Sequence, residues 1–360
     1  MGVFSCKTKI LSGDGAVSAL GELGIRRLYL VADPFFVKNG MAEQMGNLSK
    51  AEAVEIFSEV TPDPSVELAA KATARLREFG ADTVVALGGG STMDCAKAMV
   101  YFSGMEVQLV AIPTTSGSGS EVTDFAILTH NGVKHPLVDE KLRPGVAILD
   151  GNLLRQLPKA LIAEGGFDAL CHAVESFVAT GAGTMSEALA EAAFRTTFSA
   201  LTQSFAGRTE VRMRIHEAAT MAGLAFTHSG LGLCHAMAHA LGGVFHVPHG
   251  RLNGILLPAV IECNAHGAAA KYAKLARSAG LGGSADTLGA RNLKNALVRL
   301  RRELEMPQTL LQAGVNPGEV YRNAKAIVEA TLADPCCKTN PVPVEDFMVR
   351  RILEAVTGRV

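Results

Sequence analysis

Four short β-rich runs dominate the first 150 residues, at 28–31, 53–57, 82–87 and 108–112. Between them lie segments with apolar residues at helical spacing. In residues 66–79, Leu68, Ala69, Ala72, Leu76 and Phe79 fall on one stripe. Continuous apolar strands alternating with amphipathic helices predict a parallel sheet covered on both faces. A further strand at 125–129 runs into Asn131-Gly132, which reads as a hairpin turn, and a last strand at 146–149 ends at Asp150. From about Pro158 the strand signals nearly vanish. Helices are predicted at 186–206, 211–225, 268–279, 292–304, 318–332 and 344–356, punctuated by Pro307, Pro317, Pro335, Pro341 and Pro343. The expected architecture is an α/β domain over residues 1–157 followed by an all-helical domain over 158–360.

The charge balance removes several functions. With 34 Lys and Arg against 35 Asp and Glu in 360 residues, bulk electrostatics cannot hold a nucleic acid or an anionic membrane. No apolar run approaches the ~18–20 residues needed to span a bilayer. No apolar segment follows the first basic residues, so no secretory signal is read, and Cys6 stands where a myristoylation site would carry Ser or Thr. The seven cysteines form no CxxC pair and are read as reduced thiols of a cytoplasmic protein.

Two loops are candidate phosphate cradles. The run 84–87 enters Gly88-Gly89-Gly90-Ser91, where glycines allow close backbone approach, Ser91 can cap the next helix, and the helix N-terminus favours a diphosphate. The alternative is a tight glycine turn with no ligand. The sequence is not GxGxxG, so the ordinary dinucleotide fingerprint is absent. The second loop, Pro113-Thr114-Thr115-Ser116-Gly117-Ser118-Gly119-Ser120-Glu121, follows the fourth run at the strand end where open α/β sheets bind ligands. Asp33 follows the first run; its carboxylate suits the ribose hydroxyls of NAD and would repel a 2′-phosphate, or it is simply a helix cap ahead of Pro34.

Histidines concentrate in the second half. Of ten, eight lie between His172 and His266. Asp168 and His172 share a helix face at i,i+4, His235 and His239 repeat that spacing, and His249 follows in Val247-Pro248-His249-Gly250. Imidazoles with one carboxylate suit a divalent first-row metal, and three or four such ligands with an open position suit catalysis. His130, His135, His216 and His266 read as surface residues, and the sequence does not decide between a surface and a ligand role for His228 and His246.

These motifs together resemble the iron-containing, or group III, alcohol dehydrogenases. The resemblance runs nearly the whole chain: GGGSTMDCAK at 88–97, PTTSGSGSE at 113–121, GFDALCHAVE at 166–175, HAMAHALGGVFHVPHGRLN at 235–253 and CCKTNP at 336–341. It implies a dehydroquinate synthase-like fold, with a Rossmann-like sheet domain and a helical metal-binding domain. It implies Asp168, His172, His235 and His249 as metal ligands and His239 as a proton relay near the nicotinamide. Cofactor contacts would come from Asp33, Gly88, Gly89, Gly90, Ser91, Asp94, Thr114, Thr115, Ser118 and Lys134, and Cys336 would lie near the substrate pocket. The implied activity is NAD(H)-dependent oxidation of a small primary alcohol or reduction of its aldehyde, propanol- or ethanol-type, with Fe²⁺ as metal or Zn²⁺ in its place. A zinc-dependent polyol dehydrogenase of the same fold is the alternative. A homodimer is expected, in the cytoplasm or in a bacterial microcompartment, with no nucleic-acid or membrane partner.

Overall fold

The computed structural model describes residues 4–130 and 133–358. The chain divides into two compact units, one from Ser5 to Leu157 and one from Pro158 onward with Phe4. Among the described residues no helix is long and apolar enough to cross a membrane.

The first unit contains β1 (Lys9–Ser12), β2 (Arg27–Ala32), β3 (Ala53–Phe57), β4 (Thr83–Gly88), β5 (Gln108–Pro113), β6 (Phe125–His130), β7 (Val133–Val138) and β8 (Val146–Leu149), with helices α1 (Pro34–Lys38), α2 (Met41–Ser49), α3 (Val66–Phe79) and α4 (Gly90–Ser103). Six strands form one parallel sheet in the order β1-β8-β5-β4-β2-β3. Both faces are covered, which is why the strands read as unbroken apolar runs. Tyr29, Val31, Val84, Ala86 and Ala111 pack with Leu76 of α3 and Met93 and Met99 of α4. Leu28, Leu30, Val85, Leu87 and Val110 pack on the other side with Ala42 and Met45 of α2. Strands β6 and β7 pair antiparallel apart from this sheet; the turn residues Asn131 and Gly132 lie outside the described residues.

Two details depart from the sequence reading. Strand β1 was not foreseen: it is a short edge strand with both ends exposed, so no apolar run marks it. Helix α4 starts at Gly90 with Gly89 as its N-cap and no side-chain cap, so Ser91 sits within the first turn and does not cap it.

The second unit is built from α5 (Lys159–Val178), α6 (Thr184–Phe205), α7 (Arg212–Ser229), α8 (Leu233–Phe245), α9 (His249–Ser278), α10 (Asp286–Glu303), α11 (Pro317–Ala333) and α12 (Asp346–Thr357). Helix α9 is 30 residues long and contains Pro258, whereas the sequence pattern marks only its last third, from residue 268. A proline at 258 cannot donate to the carbonyl of Gly254. Arg301 of α10 supplies the missing donor, its Nη1 lying 2.7 Å from Gly254 O and 3.0 Å from Ile255 O. This buried guanidinium has its pKa pushed down to about 10 by desolvation. His216 also corrects the sequence reading: it is buried within α7, not at the surface.

Replacing Arg301 with Met should lower the unfolding free energy by about 1–3 kcal/mol, because a buried carbonyl loses its partner. Pro258→Ala in that background should recover part of the loss, since the helix ladder regains its own donor. Urea unfolding of the single and double variants checks this. An unchanged midpoint for Arg301→Met would contradict the assignment.

Candidate functional site

Three helices of the second unit converge on one cluster. Helix α5 presents Asp168, His172 and Glu175, spaced four and three residues apart and therefore on one face. Helix α8 presents His235 and His239, and α9 opens with His249, followed one turn later by Asn253. The α8–α9 connection is short because His246 takes a left-handed conformation, φ 54°, and Pro248 fixes the start of α9. Gly250 then lets α9 approach α5. A Cβ there would stand 2.2 Å from the backbone oxygen of Glu164.

The donor atoms of Asp168, His172 and His235 lie within 4.8 Å of one another, and all three residues are buried. His249 Nε2 lies 3.6 Å from Asp168 Oδ1, near the ~3.4 Å edge of a tetrahedron with bonds of about 2.1 Å. The rings of His172 and His235 stack at 4.5 Å, and that of His249 stands 5.3 Å from His235. Asn253 donates through Nδ2 to Asp168 Oδ1 at 2.8 Å, and the same nitrogen lies 3.1 Å from His249 Nε2 and 3.3 Å from His235 Nε2. His249, 29% exposed, and His239, 18%, border the accessible side of the cluster.

Behind His235 stands Glu175. Its carboxylate accepts from the backbone N–H of Gly232 at 3.1 Å, Cys234 at 2.7 Å and His235 at 3.2 Å, and from His235 Nδ1 at 2.7 Å. Burial pushes Glu175 up to about 7 against the lowering effect of those donors. Burial also drives His235 well below its usual range, so its imidazole is neutral. With Nδ1–H given to Glu175, the Nε2 lone pair is the one left for a ligand. Two thiols lie close by: Cys171 Sγ is 3.7 Å from His235 Nδ1, and Cys234 Sγ is 3.7 Å from Asn253 O. Burial raises both, Cys234 to about 11 and Cys171 further, so neither is a thiolate. Three imidazoles and one carboxylate remain as donors, a set that fits a divalent first-row metal. Neither Glu175 nor Asn253 was singled out from sequence. The signal was present, since Glu175 follows His172 by three residues and Asn253 follows His249 by four.

His239 meets Asp334 rather than a ligand, with Nδ1 2.9 Å from Asp334 Oδ2, and its ring stacks on His249 at 5.3 Å and 14°. His228 stacks on Phe4 and donates to Leu224 O, and exposed His246 ends α8. His130, His135 and His266 are exposed.

In the first unit, the ends of β2, β4 and β5 carry the nucleotide candidates side by side. The strand order reverses between β2 and β4, the position where open sheets hold ligands. Asp33 N donates to Leu87 O, and Thr114 N donates to Gly88 O. The two loops lie against each other: a Cβ on Gly89 would meet Thr115 Oγ1 at 3.3 Å, and one on Gly90 would meet Ser118 Cβ at 3.3 Å. Gly88 is stricter, because its Cβ would stand 2.3 Å from Thr92 Oγ1. The N-terminus of α4 therefore faces a bare backbone cradle that fits a diphosphate. Asp33 Oδ1 caps α1 through Phe35 N at 2.8 Å. Asp94 spends its carboxylate on Ser120 Oγ at 2.9 Å and Ile127 N at 3.2 Å, and Lys134 pairs with Asp63 at 2.7 Å. Ser118 Oγ accepts from Ser120 N. Lys97 is buried beneath, donating to Thr123 and to Phe125 O.

Residues 7–151 match the family described as iron-containing alcohol dehydrogenase, and residues 162–357 match the C-terminal part of that family. The chain is 36% identical to the 1-propanol dehydrogenase PduQ of Salmonella typhimurium, covering 98% of this chain and 99% of that protein. It is 33% identical to an NADPH-dependent butanol dehydrogenase of Clostridium saccharobutylicum, covering 98% and 97%. The iron-containing alcohol dehydrogenase from Thermococcus thioreducens superposes with a TM-score of 0.91 at 32% identity, over 99% and 100% of the two chains. The sulfoacetaldehyde reductase of Bifidobacterium kashiwanohense, solved with NAD⁺, superposes at 0.88 with 26% identity, over 99% and 98%.

Glu175→Gln should weaken metal binding roughly 10–100-fold, because an amide cannot accept all four bonds and releases the His235 ring. Anaerobic competition with a chelator measures this. Wild-type affinity in a folded Glu175→Gln protein would contradict it.

Proposed function

Given that the chain belongs to the iron-containing alcohol dehydrogenase family and is an alcohol oxidoreductase, we propose that it interconverts a small primary alcohol and its aldehyde with NAD(H), using Fe²⁺ held by Asp168, His172, His235 and His249. The observation that carries this reading is the convergence of one carboxylate and three imidazoles, with Glu175 fixing the orientation of His235.

A divalent metal there would stabilise negative charge on an alcohol or carbonyl oxygen, and NAD would supply the hydride chemistry. The chain's own residues do the rest. Asp168 contributes the single negative charge of the ligand set, and three neutral imidazoles leave the centre net positive. Phe226, stacked on His172 at 4.5 Å, keeps water from that side. His239 takes up the hydroxyl proton in oxidation and returns it in reduction. In the first unit, Gly88, Gly89 and Gly90 admit the diphosphate to backbone N–H groups, flanked by Ser91, Thr114, Thr115 and Ser118. Asp33 selects NAD, its carboxylate directed at ribose hydroxyls and repelling a 2′-phosphate. Asp94 shapes the cradle by holding Ser120 and the backbone of β6. Lys134, paired with Asp63 in the structure, would lend its charge to the nicotinamide ribose when the cofactor is bound. The relative named 1-propanol dehydrogenase supports a three-carbon alcohol as the substrate.

Steady-state assays on anaerobically purified, iron-loaded protein test this reading. NADH oxidation is expected with C2–C4 aldehydes, and Asp33→Asn should raise the ratio of NADPH to NADH efficiency at least about tenfold, since it removes the charge that repels the 2′-phosphate. No turnover with any C2–C4 aldehyde would contradict the substrate class. An unchanged cofactor ratio would contradict the role of Asp33.

A further inference from the structure

We infer that Asp334 is the positioning residue for His239: its carboxylate fixes the imidazole with the proton on Nδ1 and leaves Nε2 as the nitrogen that exchanges a proton with the substrate. The inference rests on the reading of His239 as the proton carrier.

The geometry is local to the second unit. Asp334 follows α11 and opens a short 3-10 turn, Pro335–Thr339. Its two oxygens are divided between two donors. Oδ1 accepts from Cys336 N at 2.8 Å, capping the turn, and Oδ2 lies 2.9 Å from His239 Nδ1. The carboxylate cannot swing away from the ring without uncapping the turn. The far end of that turn is tied down as well. Thr339 Oγ1 donates to Leu231 O, and Asn340 Oδ1 accepts from Leu233 N, the first residue of α8. The segment 334–340 is thus held at both of its own ends, by His239 in the middle of α8 and by Leu231 and Leu233 at its start.

Asp334 stays an acceptor. Burial alone would raise its pKa, but the bonds from His239 and from Cys336 N–H outweigh this and hold it below the usual carboxylate range. An ionised carboxylate can only accept, so Nδ1 of His239 must donate. Burial and the adjoining carboxylate drive the Cys336 thiol well above its usual range, so it contributes S–H rather than thiolate. The cluster of His239, Asp334 and Cys336 is accordingly a hydrogen-bonded one, not a second thiolate metal site.

The proton balance follows. In oxidation the alcohol O–H bond breaks and its proton goes to Nε2, while the C–H bond on the carbon bearing that oxygen gives up its hydride to NAD⁺ and the C=O bond forms. His239 is then an imidazolium whose Nδ1–H remains on Asp334, so the arriving proton must leave through Nε2 to water. Reduction runs the same path backwards.

The test is ¹⁵N NMR of the histidine side chains in the full chain loaded with diamagnetic Zn²⁺, at a pH where the imidazole is neutral, with His239→Gln to assign the signal. The wild type should show Nδ1 protonated and Nε2 bare. In Asp334→Asn, the Asn oxygen can keep the cap on Cys336 N, and its amide can donate to Nδ1, so the protonated nitrogen should switch to Nε2. In that variant kcat should fall about 10²-fold, with KM and bound metal unchanged. A wild-type His239 protonated on Nε2 would overturn the inference, and so would an Asp334→Asn spectrum identical to wild type. The wild-type spectrum decides even if the variant does not fold. A switched tautomer with undiminished kcat would uphold the positioning by Asp334 and refute the proton-carrier role of His239, so the two readings fail separately.

Discussion

The carboxylate of Glu175 is the point on which the proposed metal centre depends. It stands on α5 and accepts four N–H groups from the start of α8, three from the backbone and one from His235. Two tasks are joined in one group. The first turn of α8 gains partners for amides that its own helix cannot supply, and the same oxygens turn the His235 ring so that Nε2 faces Asp168 and His249. The surrounding close approaches follow from it. A Cβ on Gly232 would stand 2.8 Å from Glu175 Oε1, and Gly250 permits α9 to lie against α5. Removing side chains at both positions brings three helices close enough for short donors to meet.

Much of this was legible in the sequence where a periodic rule applies. Strands buried on two faces announce themselves as apolar runs, as β8 does on the predicted residues; the edge strand β3, with only Phe57 fully buried, was found by its β-rich run. Ligand candidates were visible as i,i+4 pairs and as a dense histidine segment, and the structure gathers Asp168, His172, His235 and His249. The failures have physical causes. Strand β1 lies at an edge with one partner, so half its residues face outward. The first two thirds of α9 were hidden by Pro258, because the compensating donor, Arg301, sits 43 residues later and only packing brings it there. His216 looked superficial because its neighbours Arg214 and Glu217 are charged, yet it lies on the face of α7 turned inward. Glu175, Asn253 and Asp334 escaped notice for one reason: sequence spacing says which residues share a helix face but not which faces meet.

The two units show the same economy in different form. In the sheet unit, the proposed cradle rests on what is missing: side chains at residues 88–90, whose absence lets two loops close on each other at a helix start that no side chain caps. In the helical unit it rests on saturation. Asp168, Glu175 and Asp334 each hold hydrogen-bond donors, and each is thereby fixed to one task. Nearby thiols are kept inert by burial, which preserves an oxygen and nitrogen donor set beside four cysteines.

X-ray absorption at the iron edge of the iron-loaded protein reads that donor set. The expected first shell is nitrogen and oxygen at about 2.0–2.2 Å, with outer scattering from three imidazoles and no sulfur. The protein holds a competing cluster of Cys171, Glu175 and His235 within the same few ångströms. A sulfur scatterer at about 2.3 Å would place the metal there and contradict the assignment.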